Sequence, residues 1–126
     1  MASELRVTTI ANNAGTESVD TTYVINGSAK AFLYFDSSIA TPVADASFNI
    51  ASITDAGTGN YDPNFTNAMG GVDYAVTSGV APEGGAGEQG FSHPNNASQY
   101  SFIVYSDAGA YADNLHCSSS VFGDLA

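Results

Sequence analysis

The stretch Phe48–Met69, FNIASITDAGTGNYDPNFTNAM, is the strongest indicator of fold in this 126-residue chain. Apolar and polar residues alternate in both of its arms, which is the period-2 pattern of half-buried strands. Between the arms, Asp55 can accept hydrogen bonds from the backbone N–H groups that follow it. Gly57 and Gly59 can take the positive φ values that reverse a chain within a few residues. The stretch therefore predicts a β-hairpin.

Pro63 interrupts the second arm of this hairpin. Proline has no backbone N–H to donate to a strand ladder, so within sheets it occurs on edge strands or at bulges. The arm is therefore predicted to be an edge strand or to carry a bulge, with Pro63 facing solvent or another subunit.

The segment Ala29–Phe35 is apolar on both of its alternating faces. The residues of the two faces are Ala31, Leu33 and Phe35 on one, and Phe32 and Tyr34 on the other. This pattern predicts a strand that is covered on both sides. The core provides one cover, and the second is either the centre of an ordinary sandwich or a subunit interface.

Three later segments are also predicted to be strands. In Gly71–Val80 the alternation places Val72, Tyr74 and Val76 inward and Asp73 and Thr77 outward. The other two segments are Tyr100–Tyr105, which is apolar on both faces, and about His116–Phe122. No window shows sustained helical periodicity, so we expect seven or eight short strands and almost no helix. Residues 29–126 are predicted to form an all-β antiparallel sandwich, jelly-roll-like in arrangement.

Residues 1–28 hold few large apolar groups and cannot form a core of their own. A turn around Asn12–Gly15 separates two short extended pieces, around Val7–Ile10 and Thr22–Ile25. We expect an extended arm that lies across the domain or docks on a neighbour. Its candidate docking residues are Arg6, Val7 and Ile10.

The segment Pro82–Ala97, PEGGAGEQGFSHPNNA, is rich in Gly, Pro and Asn and predicts a long exposed loop. Exposed loops carry recognition because they tolerate change better than packed strands do. The candidate recognition residues are Phe91, His93, Asn95 and Asn96. The alternative is a passive, solvated tip.

The charge of the chain is strongly one-sided. Thirteen acidic residues against Arg6 and Lys30 give a formal net charge of −11, and no basic stripe is present to neutralise phosphates. We therefore expect no nucleic-acid partner, a surface role for Lys30, and either a surface or an interface role for Arg6. No apolar run has the length of a membrane helix and no signal peptide is evident, so we expect synthesis in the cytoplasm and no membrane insertion.

Patterns of catalysis and metal binding are lacking in the sequence. No nucleophile elbow, zinc-protease motif, P-loop or local Cys/His signature occurs, so we expect no enzyme activity and no cofactor. Acidic residues such as Asp55 and Asp62 lack the spacing of calcium loops and are attributed to turns and surface. His93, His116 and Cys117 could ligate a metal, but adjacent strand residues point to opposite faces. We expect a buried structural cysteine and two solvated histidines.

Several stretches resemble a family of short virion proteins from phages of marine bacteria, many of them described as tail-fibre proteins. The similar stretches are SELRVTTIANNAGT (3–16), SAKAFLYFD (28–36), SITDAGTGNY (52–61), NFTNAM (64–69) and VFGDLA (121–126). Phe32 stands where the family usually has tryptophan in an AKAW-type strand, and DPN at 62–64 replaces a plain β-branched strand. The resemblance implies a structural place in a virion and brings no catalytic residues.

We therefore expect a non-enzymatic virion surface protein that is made in the host cytoplasm and assembled onto a phage particle. A capsid decoration protein, of the cement or head-fibre kind, is favoured because the short chain has no shaft. The resemblance favours the alternative, a tail fibre or receptor-binding knob that mediates host attachment. A carbohydrate-binding module overlaps with this alternative, since seven tyrosines and many Asn and acidic side chains offer suitable groups.

The expected partners are other virion proteins and further copies of the chain in a homotrimer. For the attachment alternative, a host receptor or surface glycan is added. Strands with two apolar faces leave aromatic surface that one small sandwich does not cover. The candidate subunit-interface residues are Phe32, Tyr34, Ile103 and Tyr105.

Overall fold

A computed structural model describes residues 5–81 and 87–126 of the chain. Within these ranges it contains ten strands and one helix. In chain order the elements are β1 (Thr9–Ala11), β2 (Ser18–Asp20), α1 (Thr21–Gly27), β3 (Ala31–Phe35), β4 (Ala44–Phe48), β5 (Ile50–Asp55), β6 (Asn60–Phe65), β7 (Ala75–Val80), β8 (Gln89–Asn96), β9 (Gln99–Tyr105) and β10 (Cys117–Phe122).

Eight of these strands form two four-stranded sheets, with the orders β4-β3-β10-β7 and β5-β6-β9-β8. Every pairing in them is antiparallel. The two sheets pack face to face, which confirms the predicted all-β sandwich. The strand order is more local than that of a jelly roll built from Greek keys, because β3 and β4, β5 and β6, and β8 and β9 pair as sequence neighbours.

The core lies between the two sheets and is rich in aromatic rings. Phe35 of β3 packs edge-on against Tyr61 of β6 and Phe102 of β9, with ring centroids 5.5 and 5.4 Å apart. The buried hydrophobic residues are Ala31, Leu33, Phe35, Tyr61, Phe65, Met69, Tyr74, Tyr100, Phe102, Val104, Cys117 and Val121. Because both sheets contribute to this set, apolar burial and edge-to-face aromatic contacts hold the sheets together.

The hairpin predicted from the opening stretch is confirmed as β5 and β6. Asp55 Oδ1 accepts a hydrogen bond of 2.8 Å from the backbone N–H of Gly57. Gly57 and Gly59 have φ values of 120° and 64°. Any Cβ at position 59 would also lie 2.6 Å from the carbonyl oxygen of Val104, so glycine is required there for both conformation and space.

The first arm of the hairpin is shorter than predicted, because Phe48 belongs to β4 and not to β5. Asn49 separates the two strands with a φ of 56°, and the chain crosses there from one sheet to the other. The Asn49 side chain fixes this crossing by donating to the carbonyl oxygens of Lys30 and Asn67 and accepting from the Asn67 backbone N–H. Asparagine tolerates left-handed φ values. The alternation of apolar and polar residues alone does not reveal that the strand ends at this position.

The prediction for Pro63 is wrong. Strand β6 is central, between β5 and β9, and Pro63 is fully buried. Strands β6 and β9 keep one register, but residues 62 and 63 are not paired with β9. The backbone N–H that Pro63 lacks is therefore not needed by the hydrogen-bond ladder between these strands. A central strand thus accommodates proline without a bulge toward β9.

Strand β3 has the predicted alternation, but the centre of the sandwich does not supply its second cover, so a subunit interface stays the prediction for that face. Ala31, Leu33 and Phe35 are buried in the core. Phe32 and Tyr34 lie on the outer face, where 43% and 38% of their surface is exposed. The core therefore covers only one side of the strand.

In the segment from Gly71 to Val80, the prediction is correct for Tyr74 and Val76 and wrong for Val72. Tyr74 is buried and its hydroxyl donates to the carbonyl oxygens of Asn96 and Gln99, at 2.9 and 2.7 Å. Val72 is exposed because β7 begins only at Ala75, so strand alternation does not apply to it.

The loop predicted over Pro82–Ala97 is wrong for residues 89–96, which form the edge strand β8, and residues 82–86 lie outside the described part of the chain. The inward positions of β8 hold small or cyclic residues, Gly90, Ser92 and Pro94, so the sequence shows no apolar alternation. A Cβ at Gly90 would lie 2.6 Å from Val80 Cγ2, because β7 and β8 close one side of the sandwich. Packing against β7 therefore requires small inward residues in β8, and these give the strand a composition typical of a loop.

The N-terminal segment Leu5–Ser28 contains the antiparallel pair β1 and β2 followed by α1. The predicted extended piece at Thr22–Ile25 is wrong, because these residues are helical. Asp20 caps the first turn by accepting from the Thr22 N–H at 2.7 Å. At the other end Lys30 Nζ donates to the carbonyl oxygens of Ile25 and Ser28, so Lys30 caps the helix and is more than a surface charge.

Candidate functional site

An apolar groove opens on the N-terminal segment, between the start of the chain and α1. It has a volume of about 500 Å³ and will be called the N-terminal groove. Its lining residues are Leu5, Arg6, Val7, Ile10, Thr21, Val24 and Ile25. The three predicted docking residues, Arg6, Val7 and Ile10, therefore lie together in one concave surface.

Hydrogen bonds hold the walls of the N-terminal groove in place. The Thr21 N–H donates to the Thr8 carbonyl at 2.9 Å, and the Thr21 hydroxyl donates to the Val7 carbonyl at 3.0 Å. The cap at Asp20 fixes the start of α1, and its hydrogen bond from the Thr22 N–H lowers the pKa of the Asp20 carboxyl. Every apolar side chain in the lining is exposed. A fixed, concave and exposed apolar surface of this kind is typical of a docking site.

A second surface is the outer face of the β5-β6-β9-β8 sheet, called here the front face. Its outward positions follow from the strand registers and are Ser52, Thr54, Asn60, Asp62, Asn64, Gln89, Phe91, His93, Gln99, Ser101, Ile103 and Tyr105. Within this set Asp62 is the one acidic residue. The face is otherwise polar and uncharged, with aromatic side chains at one end.

The aromatic end of the front face is a stacked group of three rings. Tyr105 and Tyr111 stack with ring centroids 4.9 Å apart and planes 21° apart. Phe91 meets Tyr105 edge-on at 5.8 Å. The neighbouring Tyr111 hydroxyl raises the pKa of Tyr105 above its usual value. Since Phe91 and Tyr111 remain about half exposed, the group is a preformed aromatic platform.

The polar part of the front face is ordered by side-chain hydrogen bonds. Ser101 Oγ donates to Asp62 Oδ1 at 2.8 Å. Asn64 Nδ2 donates to Thr54 Oγ1 and to the Asp62 carbonyl, both at 3.0 Å. His93 lies directly across from Ser101 in the β8–β9 register. A row of hydrogen-bonding groups therefore crosses three strands beside the aromatic platform.

The outer face of the β4-β3-β10-β7 sheet is a third surface, called here the back face. Its outward positions are Phe32, Tyr34, Ala46, Phe48, Ala75, Thr77, Gly79, Ser118, Ser120 and Phe122. None of these is charged. Phe32 and Phe48 stack with centroids 6.3 Å apart, and the Tyr34 hydroxyl lies 2.6 Å from His116 Nδ1. The face is uncharged, carries an exposed aromatic pair and is rich in small residues.

The structure separates some of the residues that the sequence placed together. Phe32 and Tyr34 lie on the back face, whereas Ile103 and Tyr105 lie on the front face. These four candidate interface residues therefore cannot form one continuous surface.

The predicted recognition residues also divide. Phe91 and His93 share the front face, and Asn95 is exposed at the end of β8. Asn96 has a structural role, because its Oδ1 accepts from the Ser98 N–H and its carbonyl accepts from the Tyr74 hydroxyl.

Three surface residues of the front and back faces, Tyr111, Asp62 and Phe48, were not predicted from the sequence as functional candidates. Alternation in β6 and β9 could have placed Asp62 beside Ser101, but nothing in the sequence brings Tyr111 to Tyr105.

Two buried titratable groups serve the fold. The Cys117 side chain is buried, as predicted, and burial raises the pKa of its thiol to about 11, which makes it a poor nucleophile at neutral pH. The Tyr61 hydroxyl contacts the Asp113 carboxylate and donates to the Ser37 carbonyl at 3.0 Å. Burial is the main reason why the pKa of Tyr61 is raised. Asp113 also accepts from the Gly59 N–H at 2.7 Å, so this group anchors the hairpin turn.

Within residues 5–81 and 87–126, no three His, Cys, Asp or Glu side chains come close enough together to hold a metal ion. In the same ranges, no helix has the length and apolarity needed to cross a membrane.

No family model, no curated protein and no solved structure matches this chain. The function is therefore proposed from the residues of the N-terminal groove, the front face and the back face.

Proposed function

We propose that this chain is a non-enzymatic structural protein of a bacteriophage virion, held on the particle by its N-terminal segment and displaying its sandwich outward. The observation that carries the proposal is the N-terminal groove, in which an exposed segment presents apolar side chains on a framework fixed by hydrogen bonds. The resemblance of the chain to short phage virion proteins supplies the kind of assembly.

Burial of the exposed apolar side chains of the N-terminal groove stabilises a complex with another protein. Leu5, Val7, Ile10 and Ile25 are all exposed, although burying one such side chain stabilises a complex by roughly 1.5–3 kcal/mol. The sandwich core is complete without them, since it consists of residues from Ala31 onward. These side chains are therefore available to another protein. An apolar knob of a neighbouring virion protein fits this concave surface.

A position as a capsid decoration protein fits the architecture best. The described chain is one sandwich with a small docking segment, and it contains no repeats or heptads from which a fibre shaft is built. A protein of this shape adds a knob to a surface and does not extend far from it.

The back face favours self-association, and the homotrimer expected from the sequence is proposed to form through it. Phe32 and Phe48 expose a stacked pair on a surface that carries no charged side chain. The chain has a formal net charge of −11, so copies of it repel each other wherever carboxylates meet. The outward positions of the back face contribute no such repulsion, and their exposed rings are available for apolar burial.

Host attachment is a second candidate function, and the front face favours it. The aromatic platform and the row of polar groups lie on the sheet opposite the back face, so self-association through the back face leaves them accessible. In this case the protein is a tail-fibre or receptor-binding knob.

Labelling of purified particles tests the proposed function. Gold-labelled antibodies against the sandwich are expected to mark the heads of intact particles in electron micrographs, and mass spectrometry is expected to find the chain in the same particles. Label at the tail tip supports the second candidate instead. Absence of the chain from gradient-purified particles contradicts both.

A further inference from the structure

The front face combines two kinds of group. One is the aromatic platform of Phe91, Tyr105 and Tyr111, and the other is the polar row of His93, Ser101 and Asp62. Strand register places Phe91 and His93 two residues apart on the same side of β8. The platform and the row are therefore direct neighbours.

The spacing of these groups follows from sheet geometry. Residues two apart on a strand lie about 7 Å apart, and neighbouring strands lie about 4.8 Å apart. From Phe91 to Asp62 the surface thus extends about 12 Å, across β9, and the strands hold every member in place. The site is long, shallow and fixed, which suits a short linear ligand that lies along the surface.

The chemistry of the two parts matches that of a sugar chain. The negative face of an aromatic ring attracts the weakly positive C–H groups on the apolar side of a hexose ring. Sugar hydroxyls donate to carboxylate oxygens and exchange hydrogen bonds with hydroxyl and imidazole groups. Asp62 Oδ1 already accepts from Ser101 Oγ, so the carboxylate is oriented before any ligand arrives.

The charge of the surface narrows the ligand class further. Asp62 is the one acidic residue among the outward positions of the front face, and it has no cationic neighbour among those positions. With a formal net charge of −11 on the whole chain, an acidic sugar is repelled both locally and at longer range. A neutral sugar meets neither penalty.

We propose that the front face binds a neutral oligosaccharide, with one hexose stacked on Phe91 beside Tyr105 and Tyr111, and the next hydrogen-bonded to Asp62 and His93, while the buried Ser101 orients the Asp62 carboxylate. This inference deepens the host-attachment candidate and rests on it, since a surface glycan is the natural ligand of an attachment protein. It is tested on the purified protein, so its failure does not depend on where the protein sits in a particle.

The experiment measures binding of the purified chain to immobilised neutral di- to tetrasaccharides of glucose, galactose, mannose and N-acetylglucosamine, followed by titration calorimetry with those that bind. Oligomers of galacturonate are the acidic comparison. The variants are Phe91→Ala and Asp62→Asn, with Tyr111→Ala as a second probe of the platform. Val72→Ala is the control, because Val72 is 55% exposed ahead of β7 and belongs to neither the front face nor the back face, and Phe91 is 50% exposed on the front face.

At least one neutral oligosaccharide is expected to bind, and the galacturonate oligomers are expected not to. Loss of the Phe91 ring is expected to weaken binding about five- to tenfold, and Asp62→Asn about tenfold, while Val72→Ala binds like the native chain. The proposal is overturned if no neutral sugar binds at millimolar concentration, if only the acidic oligomers bind, or if Val72→Ala weakens binding as much as Phe91→Ala.

Discussion

The hydroxyl groups of Tyr100 and Ser119 lie 2.6 Å apart inside the sandwich. Tyr100 belongs to β9 and Ser119 to β10, so this hydrogen bond joins the two sheets. Both side chains are buried, and water is therefore not at hand to replace a missing partner. Burial of the ring also raises the pKa of the Tyr100 hydroxyl, so this group keeps its proton over a wide pH range.

Removing both partners of this pair is expected to destabilise the protein by less than the sum of the two single removals. Tyr100→Phe and Ser119→Ala each leave a buried hydroxyl without a partner, which costs about 1–3 kcal/mol of unfolding free energy. In the double variant no polar group is left unpaired, so its loss is expected to be smaller than the sum of the two single losses. Urea unfolding of the three variants measures this difference. Strictly additive losses would show that the two hydroxyls do not depend on each other.

Alkaline pH is expected to destabilise the protein, because the folded state buries tyrosine and cysteine side chains in their neutral, protonated form. Burial raises the pKa of Tyr61 and Tyr100, and that of Cys117 to about 11. In the unfolded chain a thiol ionises near pH 8.5 and a tyrosine near pH 10. Above those values the unfolded state has lost protons that the folded state keeps, so stability falls as the pH rises.

The measurement for this prediction is the melting temperature between about pH 7 and pH 11.5. It is expected to begin to fall above about pH 8.5 and to fall more steeply above about pH 10. In Tyr100→Phe one of the titrating groups is removed, so the fall above pH 10 should be shallower than in the native chain. A melting temperature that stays constant up to pH 11.5 would contradict the assigned burial.

The sequence predicted the elements that depend on local turn chemistry and clear alternation. Asp55, Gly57 and Gly59 specify the hairpin turn, and β3 and β9 show alternating apolar residues that the core then buries. The docking residues Arg6, Val7 and Ile10 were also predicted to act together, and they line one groove. In each of these cases neighbours in sequence determine the outcome.

The sequence could not predict features that depend on tertiary packing. Strand β8 resembles a loop because contact with β7 leaves room only for small inward residues such as Gly90. Thr22–Ile25 consists mostly of β-branched and aromatic residues that favour strands, yet Asp20 and Lys30 cap the two ends of a helix. The aromatic platform needs Tyr111, which reaches Tyr105 only through the course of a loop.

Asn49 is expected to be sensitive to substitution for two separable reasons. Its φ of 56° is strained for most residues, and its side chain makes hydrogen bonds to Lys30 and Asn67. Asn49→Gly relieves the first factor but loses the hydrogen bonds, and is expected to cost about 1–2 kcal/mol. Asn49→Ala adds backbone strain to the loss of these hydrogen bonds and is expected to lower the free energy of unfolding by about 2–3 kcal/mol. Urea unfolding decides, and an alanine variant as stable as the glycine variant would show that backbone strain is unimportant there.

Self-association is expected to depend on the back face. Sedimentation velocity at micromolar concentration is expected to show three copies of the native chain together. Replacing Phe32 and Phe48 by serine removes the stacked aromatic pair and is expected to give monomers that remain folded, because both rings lie outside the core. Phe91→Ser, on the front face, is the control and should leave the trimer intact. A native chain that is monomeric at these concentrations would contradict the trimer.

The most direct test of the central claim, docking through the N-terminal groove, is co-sedimentation of the purified chain with phage particles that lack it. A double variant Val7→Ser, Val24→Ser removes two apolar groups from the groove, where these residues are 44% and 41% exposed. The matched control is Val72→Ser, an exposed valine ahead of β7 in the sandwich. The native chain and the control are expected to sediment with the particles, and the groove variant is expected to stay in the supernatant while keeping its melting temperature. Sedimentation of the groove variant at the native level would contradict the account.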